Sequence, residues 1–350
     1  MSNEKDNLKD LSFKELRTYL ENSGEKSYRA KQIFAWLYQK GASDFEEMSN
    51  LPASLRDILR SKFRISSYNV IKRQISKLDG TRKYLFRLED GETVEAALIP
   101  TKSRRTVCLS SQVGCAFGCK FCASGLAGIK RDLGCAEILD EALGILKDLK
   151  GERITNVVMM GIGEPLANYE NVMKAISVLN SPFGFGIGAR KITISTAGYI
   201  PGIKRLIEEK MQIEFSVSLH SATDEVRSHL MPINKKFPIS QLMEVCRNYV
   251  KAKNRVITFE YVLIKDVNSS REDATALSKI LRGLSCKVNL IPFNPVSNFN
   301  FLPPSGKEVK EFQKILKNAG INSTIRSQRG ADIEAACGQL RLRELKRVIK

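Results

Sequence analysis

From Thr106 onward the apolar positions fall into two alternating patterns. Short β-branched and aliphatic runs read as strands: Thr106–Ser110, Asn156–Met160, Lys191–Ser195, Glu214–Leu219, Val256–Leu263, Val288–Ile291 and Ser323–Arg326. Between them apolar residues recur at three- and four-residue spacing. That spacing predicts helices over Ala136–Leu149, Glu170–Leu179, Gln241–Lys251, Glu272–Leu281 and Lys307–Asn318. Strands alternating with helices imply a parallel sheet with right-handed crossovers. The fold class is therefore α/β, a (β/α) barrel that is either closed or partial.

The chain ahead of this region is patterned differently. Ser12-x-x-Glu15 is a capping-box signature before Leu16 and Leu20. Further helices carry Ile33, Phe34, Leu37 and Tyr38, then, after Pro52, Leu55, Ile58, Leu59 and Phe63. A β-meander follows, with the turn dipeptides Asp79-Gly80 and Asp90-Gly91 beside the runs Lys83–Leu88 and Thr93–Ile99. The expected organisation is a small N-terminal helical module over 1–68, a β-meander extension over 69–105, the barrel over 106–340 and a basic tail over 341–350.

Composition narrows the function. At 350 residues and 43% hydrophobic the chain can bury a sizeable core, which excludes a wholly disordered protein. A net charge of +18 favours a polyanionic partner through counterion release. Nucleic acid fits better than an anionic membrane, because no lysine-rich amphipathic helix with an aromatic face is evident. The charged start, Met1–Asp10, has no apolar core of a signal peptide, and no apolar run is long enough to cross a bilayer. A cytoplasmic location without membrane attachment is expected. Only two histidines, His220 and His229, are available for imidazole chemistry.

Eight cysteines in such a chain point to metal or catalysis before structural disulfides. Cys115, Cys119 and Cys122 form a C-x3-C-x2-C loop directly after the first barrel strand. Three thiolates can ligate three irons of a [4Fe–4S] cube and leave the fourth open. Structural zinc would want a fourth protein ligand, and none stands at finger-like spacing. Cys135, Cys246 and Cys286 fall on predicted helices or a connecting segment and read as core cysteines. Cys108, on the first strand, reads equally well as a core residue.

The cysteine loop is the signature of the radical S-adenosylmethionine superfamily. Together with Ser110–Cys115, Gly161-Ile162-Gly163-Glu164-Pro165 and Ala335-Ala336-Cys337-Gly338-Gln339-Leu340, it resembles the adenosine-C2 RNA methyltransferases over nearly the whole chain. The resemblance implies a partial barrel of the radical S-adenosylmethionine type and a [4Fe–4S] cluster on Cys115, Cys119 and Cys122. It implies S-adenosylmethionine bound by Gly163, Glu164, Ser195, Ser218, Leu219, His220 and Asn294. All of these sit near predicted strand C-termini, where barrel sites gather.

The resemblance further implies that Cys337 carries the methyl group as S-methylcysteine and that Cys108 later forms a transient disulfide with it. Glu95 would accept the C2 proton, although a carboxylate in a β-run reads equally as a solvated strand residue. The implied substrates are 23S rRNA in its peptidyl-transferase region and tRNA next to the anticodon. Electrons would come from a flavodoxin- or ferredoxin-like donor, and the RNA-binding accessory role would fall to the N-terminal module of a monomer. Two other readings stay open: the sister enzyme that methylates adenosine at C8, and a non-enzymatic RNA-binding module with zinc.

Overall fold

A computed structural model describes residues 5–126, 128–295, 300–333 and 338–348. The N-terminal helices form where the apolar spacing places them. The first, α1 (Phe13–Asn22), starts at a complete capping box: Ser12 Oγ accepts from Glu15 N at 3.2 Å, and Glu15 Oε2 accepts from Ser12 N at 2.7 Å. The second, α2 (Arg29–Ala35), runs on into a π-helical turn over Trp36–Lys40, and α3 (Ala53–Lys62) follows. Leu16, Leu20, Ile33, Phe34, Leu37, Tyr38, Leu55 and Leu59 are buried, whereas Ile58, expected inside, is exposed. A short parallel pair, β1 (Asp6–Asn7) and β2 (Phe63–Arg64), ties the ends of the module together.

This module shares its core with the rest of the chain. The Lys9 ammonium reaches Asp140 Oδ1 at 2.6 Å in a pair closed to solvent, and Phe13 stacks on Phe183 at 5.0 Å. Removing one partner of such a pair strands a buried charge, at a cost of about 3–5 kcal/mol. The module is therefore not a separable bead.

Next come β3 (Asn69–Ile75), β4 (Arg82–Arg87), β5 (Thr93–Pro100) and β6 (Arg105–Cys108), then a two-stranded ribbon, β7 (Gln112–Gly114) and β8 (Ile129–Asp132). The alternating region continues as α4 (Cys135–Asp148), β9 (Asn156–Met159), α5 (Tyr169–Asn180), β10 (Ile192–Thr196), α6 (Ile200–Glu208), β11 (Glu214–Ser218), α7 (Asp224–Leu230) and α8 (Ile239–Lys253). It ends with β12 (Ile257–Leu263), α9 (Arg271–Ile280), β13 (Cys286–Pro292), α10 (Gly306–Asn318), β14 (Asn322–Ile325) and α11 (Gln339–Val348).

One sheet holds ten strands in the order β14-β13-β12-β11-β10-β9-β6-β5-β4-β3. From β6 to β14 the pairs are parallel; from β6 back to β3 they are antiparallel. Among the described residues no ladder joins β14 to β3, so the barrel is partial and the meander extends its first edge.

The segment 341–350, expected as a basic tail, instead lies within α11 as far as Val348. Leu340 is buried and seats the helix start, a single apolar anchor outweighed in the sequence by its charged neighbours. Cys286, read as part of a connecting segment, opens β13. The helices α6 and α7 and the β7–β8 ribbon went unforeseen. Among the described residues no helix is long and apolar enough to cross a membrane.

Candidate active site

The cysteine loop is the span between β7 and β8, held by its own backbone. Cys115 N donates to Gly128 O at 3.1 Å, Cys122 N to Cys119 O at 3.1 Å, and Lys120 N to Leu230 O at 2.9 Å. Gly114 has φ +86°, and a Cβ there would stand 1.9 Å from Gly128 O, so only glycine closes the ribbon. Phe117 and Phe121 press into a small apolar cluster with Leu230, Met231, Ile264 and Phe293, which pins the loop over the strand ends.

Burial, reinforced by the charge of Cys122, pushes the Cys115 thiol up to about 12. Cys119 is raised by burial and by both other cysteines, against the pull of Arg227. Such thiols shed their protons when cations arrive, which is the behaviour of a cluster-binding donor set. Among the described residues no three His, Cys, Asp or Glu side chains converge as a single-ion site requires. A four-iron cube asks for one thiolate per iron and hence a wider spread.

The other predicted positions line the same end of the sheet. Gly163 has φ +105°, and a Cβ would meet Gln112 at 2.6 Å. Glu164 N donates to Gln112 Oε1 at 2.8 Å, while its carboxylate accepts from Ala197 N at 2.7 Å and Leu166 N at 3.1 Å. Burial nevertheless lifts this carboxyl to about 7. The Glu164 side chain thus clasps the end of β9 to the end of β10. Ser195 is buried on β10, and Ser218 ends β11. Asn294, past β13, accepts from Gln328 Nε2 at 2.5 Å.

Leu219 is buried, and His220 turns the chain with φ +57°. Val262 N donates to His220 Nδ1 at 3.0 Å, and Phe121 meets the ring edge-on at 4.8 Å. Burial, aided by the Arg227 charge, lowers the imidazole to about 3, so it is neutral and carries its hydrogen on Nε2. Arg227 itself escaped the sequence reading. Its guanidinium, fully buried, donates to Leu219 O at 3.0 Å, Ser218 O at 3.2 Å, Ala197 O at 2.8 Å and Asn234 Oδ1 at 2.7 Å. It holds the ends of β10 and β11 in register, and nothing short of knowing α7 would have revealed it.

A second constellation lies on the β4–β6 face. Glu95 is buried, not solvated: it pairs with Lys83 at 2.6 Å, accepts from Gly338 N at 2.9 Å, and accepts from Arg341 N. Cys108 stands opposite Ala97 and Val158 in the ladders, and burial raises its thiol to about 11. Cys337 lies outside the described residues, and with it the expected pairing to Cys108; no disulfide joins the described cysteines.

The described chain on either side is anchored. Gly330 N donates to Asp79 Oδ2 at 2.9 Å, and Asp332 accepts from Ser76 Oγ at 2.5 Å and Lys77 N at 2.7 Å. The segment after β14 therefore crosses from one free edge of the sheet to the β3–β4 turn at the other. Gly338 packs on the cysteine loop so closely that a Cβ would stand 2.5 Å from Ser124 N. The strap thus joins the Glu95 face to the cysteine loop.

A partial barrel with this loop is the fold of radical S-adenosylmethionine enzymes, and residues 109–277 match the Radical SAM superfamily. Residues 6–65 match the Ribosomal RNA large subunit methyltransferase N-terminal domain. A crystal structure of a radical SAM methyltransferase from Sphaerobacter thermophilus superposes with a TM-score of 0.90 at 43% identity, covering 95% of this chain and 98% of that one. Proteins described as "Probable dual-specificity RNA methyltransferase RlmN" are similar end to end. That of Thermoanaerobacter sp. strain X514 is 45% identical over 97% of this chain and 99% of its own. That of Staphylococcus aureus strain Newman is 45% identical over 97% and 94%. The chain belongs to the RlmN family of radical S-adenosylmethionine RNA methyltransferases, which work with a [4Fe–4S] cluster and S-adenosylmethionine.

Proposed function

We propose that this enzyme methylates C2 of adenosine in the peptidyl-transferase region of 23S rRNA and next to the anticodon of tRNA. The observation that carries the reading is Gly338, which ties the cysteine loop to the buried Glu95 carboxylate on the sheet face that also carries Cys108. Cys115, Cys119 and Cys122 hold the cluster, and Gly163, Glu164, Ser195, Ser218, Leu219, His220 and Asn294 hold the cofactor. The Glu164 carboxylate accepts one main-chain bond on each oxygen, from Leu166 N and Ala197 N, so Gly163 and Glu164 would offer the cofactor amino group acceptors already held in place.

When bound, the cluster and cofactor supply a methyl group from one S-adenosylmethionine and a 5′-deoxyadenosyl radical from another. Adenine C2 is an electron-poor carbon, a bad match for direct transfer of an electrophilic methyl. Cys337 instead carries the methyl as a thioether; it would give a hydrogen atom to the 5′-deoxyadenosyl radical and join C2 through carbon, and the unpaired electron left on the ring would return to the cluster. Glu95 takes the C2 proton. Cys108 captures the Cys337 sulfur and breaks its bond to the methylene carbon, which takes a proton to become the methyl group; the disulfide left behind is reopened by the external reductant.

The Gly163-Glu164-Pro165 turn and the Ile291–Pro295 stretch favour C2 over the sister C8 reaction. Nucleoside mass spectrometry of RNA from cells lacking the protein tests this: 2-methyladenosine should vanish. Loss of 8-methyladenosine instead would assign the chain to the sister activity.

RNA contact is assigned in part to the N-terminal module, whose Arg29 and Lys40 lie over its own Tyr28 and Trp36 and whose Lys31 lies over Phe183 of the barrel. Reversing these three charges to glutamate should weaken RNA binding and reduce the slope of log K against log salt by about 2–3. An unchanged slope would move the interface elsewhere. The reading also has a monomer acting in the cytoplasm, reduced by a flavodoxin- or ferredoxin-like protein.

A further inference from the structure

Register places three groups together. Lys83 on β4 lies opposite Ala97 on β5, and Ala97 lies opposite Cys108 on β6. Directly opposed residues share a face, so Lys83, Ala97 and Cys108 form one row across the sheet. Glu95 stands two residues before Ala97 and shares that face, diagonal to Lys83. Ala97 is small, which leaves the ammonium free to cross its methyl.

The Lys83–Glu95 contact is 2.6 Å long, with side chains only 4% and 2% exposed. Buried pairs of this kind seldom add stability over an apolar pair of the same volume, so stability is a poor explanation for this one. The remaining lone pairs of Glu95 accept from Gly338 N and Arg341 N, where the start of α11 favours an anion. Among the described residues, the groups facing Glu95 and Cys108 include Lys83 from β4, the α11 backbone, Glu141 from α4 and the Met160 backbone after β9. The Arg341 guanidinium is turned away to Glu92 at 3.1 Å.

Glu141 does not compete for the ammonium. It is buried, accepts only from Ser110 N at 2.8 Å, and its other oxygen has no partner. Burial raises this carboxyl well above the usual range. Among the described residues, the Lys83 charge and a backbone hydrogen bond from Met160 favour the Cys108 thiolate, whereas Glu141 and Glu95 oppose it.

We propose that Lys83 is a positioning residue that serves two partners in turn. Its ammonium first holds the Glu95 carboxylate charged and aimed, ready for the C2 proton. Once that proton sits on a Glu95 oxygen, with the C–H electron pair left on the ring, the ion pair is gone. The same ammonium then acts on Cys108 without opposition from Glu95 and favours the thiolate that resolves the adduct. Proton removal and thiol activation are thereby ordered: Cys108 is readied only after Glu95 is spent.

This inference rests on Glu95 being the base, and its test separates the two claims. The probe is the reconstituted full-length enzyme with glutamate labelled at the side-chain carboxyl carbon, the Glu95 signal being assigned by its loss in Glu95→Gln. In Lys83→Met the Glu95 carboxyl should titrate at higher pH than in the wild type. Single-turnover methylation near neutral pH should be slower by about tenfold or more, recovering with rising pH by up to tenfold per unit. Lys83→Arg, which keeps the charge, should retain the wild-type titration and pH profile and serves also if Lys83→Met does not fold. An unchanged Glu95 titration in Lys83→Met, or a shifted profile in Lys83→Arg, overturns the inference. A shifted titration with unaltered methylation overturns Glu95 as the base, and the inference with it.

Discussion

Alanine at Cys115, Cys119 or Cys122 is expected to abolish both iron binding and cofactor cleavage. On the proposed assignment each thiolate would ligate one iron, and the loss of one would leave the cluster with two protein ligands where it asks for three. The rest of the loop cannot compensate. Its path is fixed by Gly114 against Gly128 and by Lys120 N on Leu230 O, and it holds no further cysteine. Cys135 and Cys246 are buried on α4 and α8. The measurement is iron content after anaerobic reconstitution together with 5′-deoxyadenosine formation. Retention of a full cluster by the triple variant would remove the basis of the mechanism.

The second large effect separates the two outer cysteines. Cys337→Ala should give no methylated RNA, because nothing remains to carry the methyl. Cys108→Ala should reach the protein–RNA adduct and stall there, giving a slow, nuclease-sensitive band in denaturing gels. In the wild type the release step should quicken as pH rises. Burial holds the resting Cys108 thiol at about 11, so only about one molecule in ten thousand is thiolate at pH 7. The reactive fraction grows about tenfold per pH unit below that value, and more favourably once Glu95 is neutral. Normal turnover by Cys108→Ala, with no trapped species, would make Cys108 a core residue and require another release route.

Much of the scaffold was legible because its signals are local. Ser12 and Glu15 announce a helix start three residues apart, and Gly80 and Gly91, at φ +71° and +85°, mark turns that need a left-handed residue. The cysteine loop and the strand-end positions were legible for the same reason.

What stayed hidden depends on contacts distant in sequence. Asp79 meets Gly330, and Glu95 meets Gly338 and Arg341, and no periodicity encodes either. The sequence left open whether Glu95 faces solvent, because part of what covers it is α11, whose basic composition hid a helix. Short α7, with its buried Arg227, lacks the long apolar stripe that betrays a helix, and in α6 the stripe of Ile200, Ile203 and Leu206 is disguised by Pro201 and Gly202 in its first turn.

The central claim is that the methyl reaches RNA by way of a carbon radical on Cys337. Methylation with S-adenosylmethionine bearing a fully deuterated methyl group tests it in one experiment. Hydrogen-atom removal takes one deuterium into 5′-deoxyadenosine, and the carbon later gains a solvent proton. The account predicts 2-methyladenosine whose methyl group holds two deuteriums and one hydrogen, with the third deuterium in 5′-deoxyadenosine. A product that keeps all three deuteriums would mean direct polar transfer and would contradict the account.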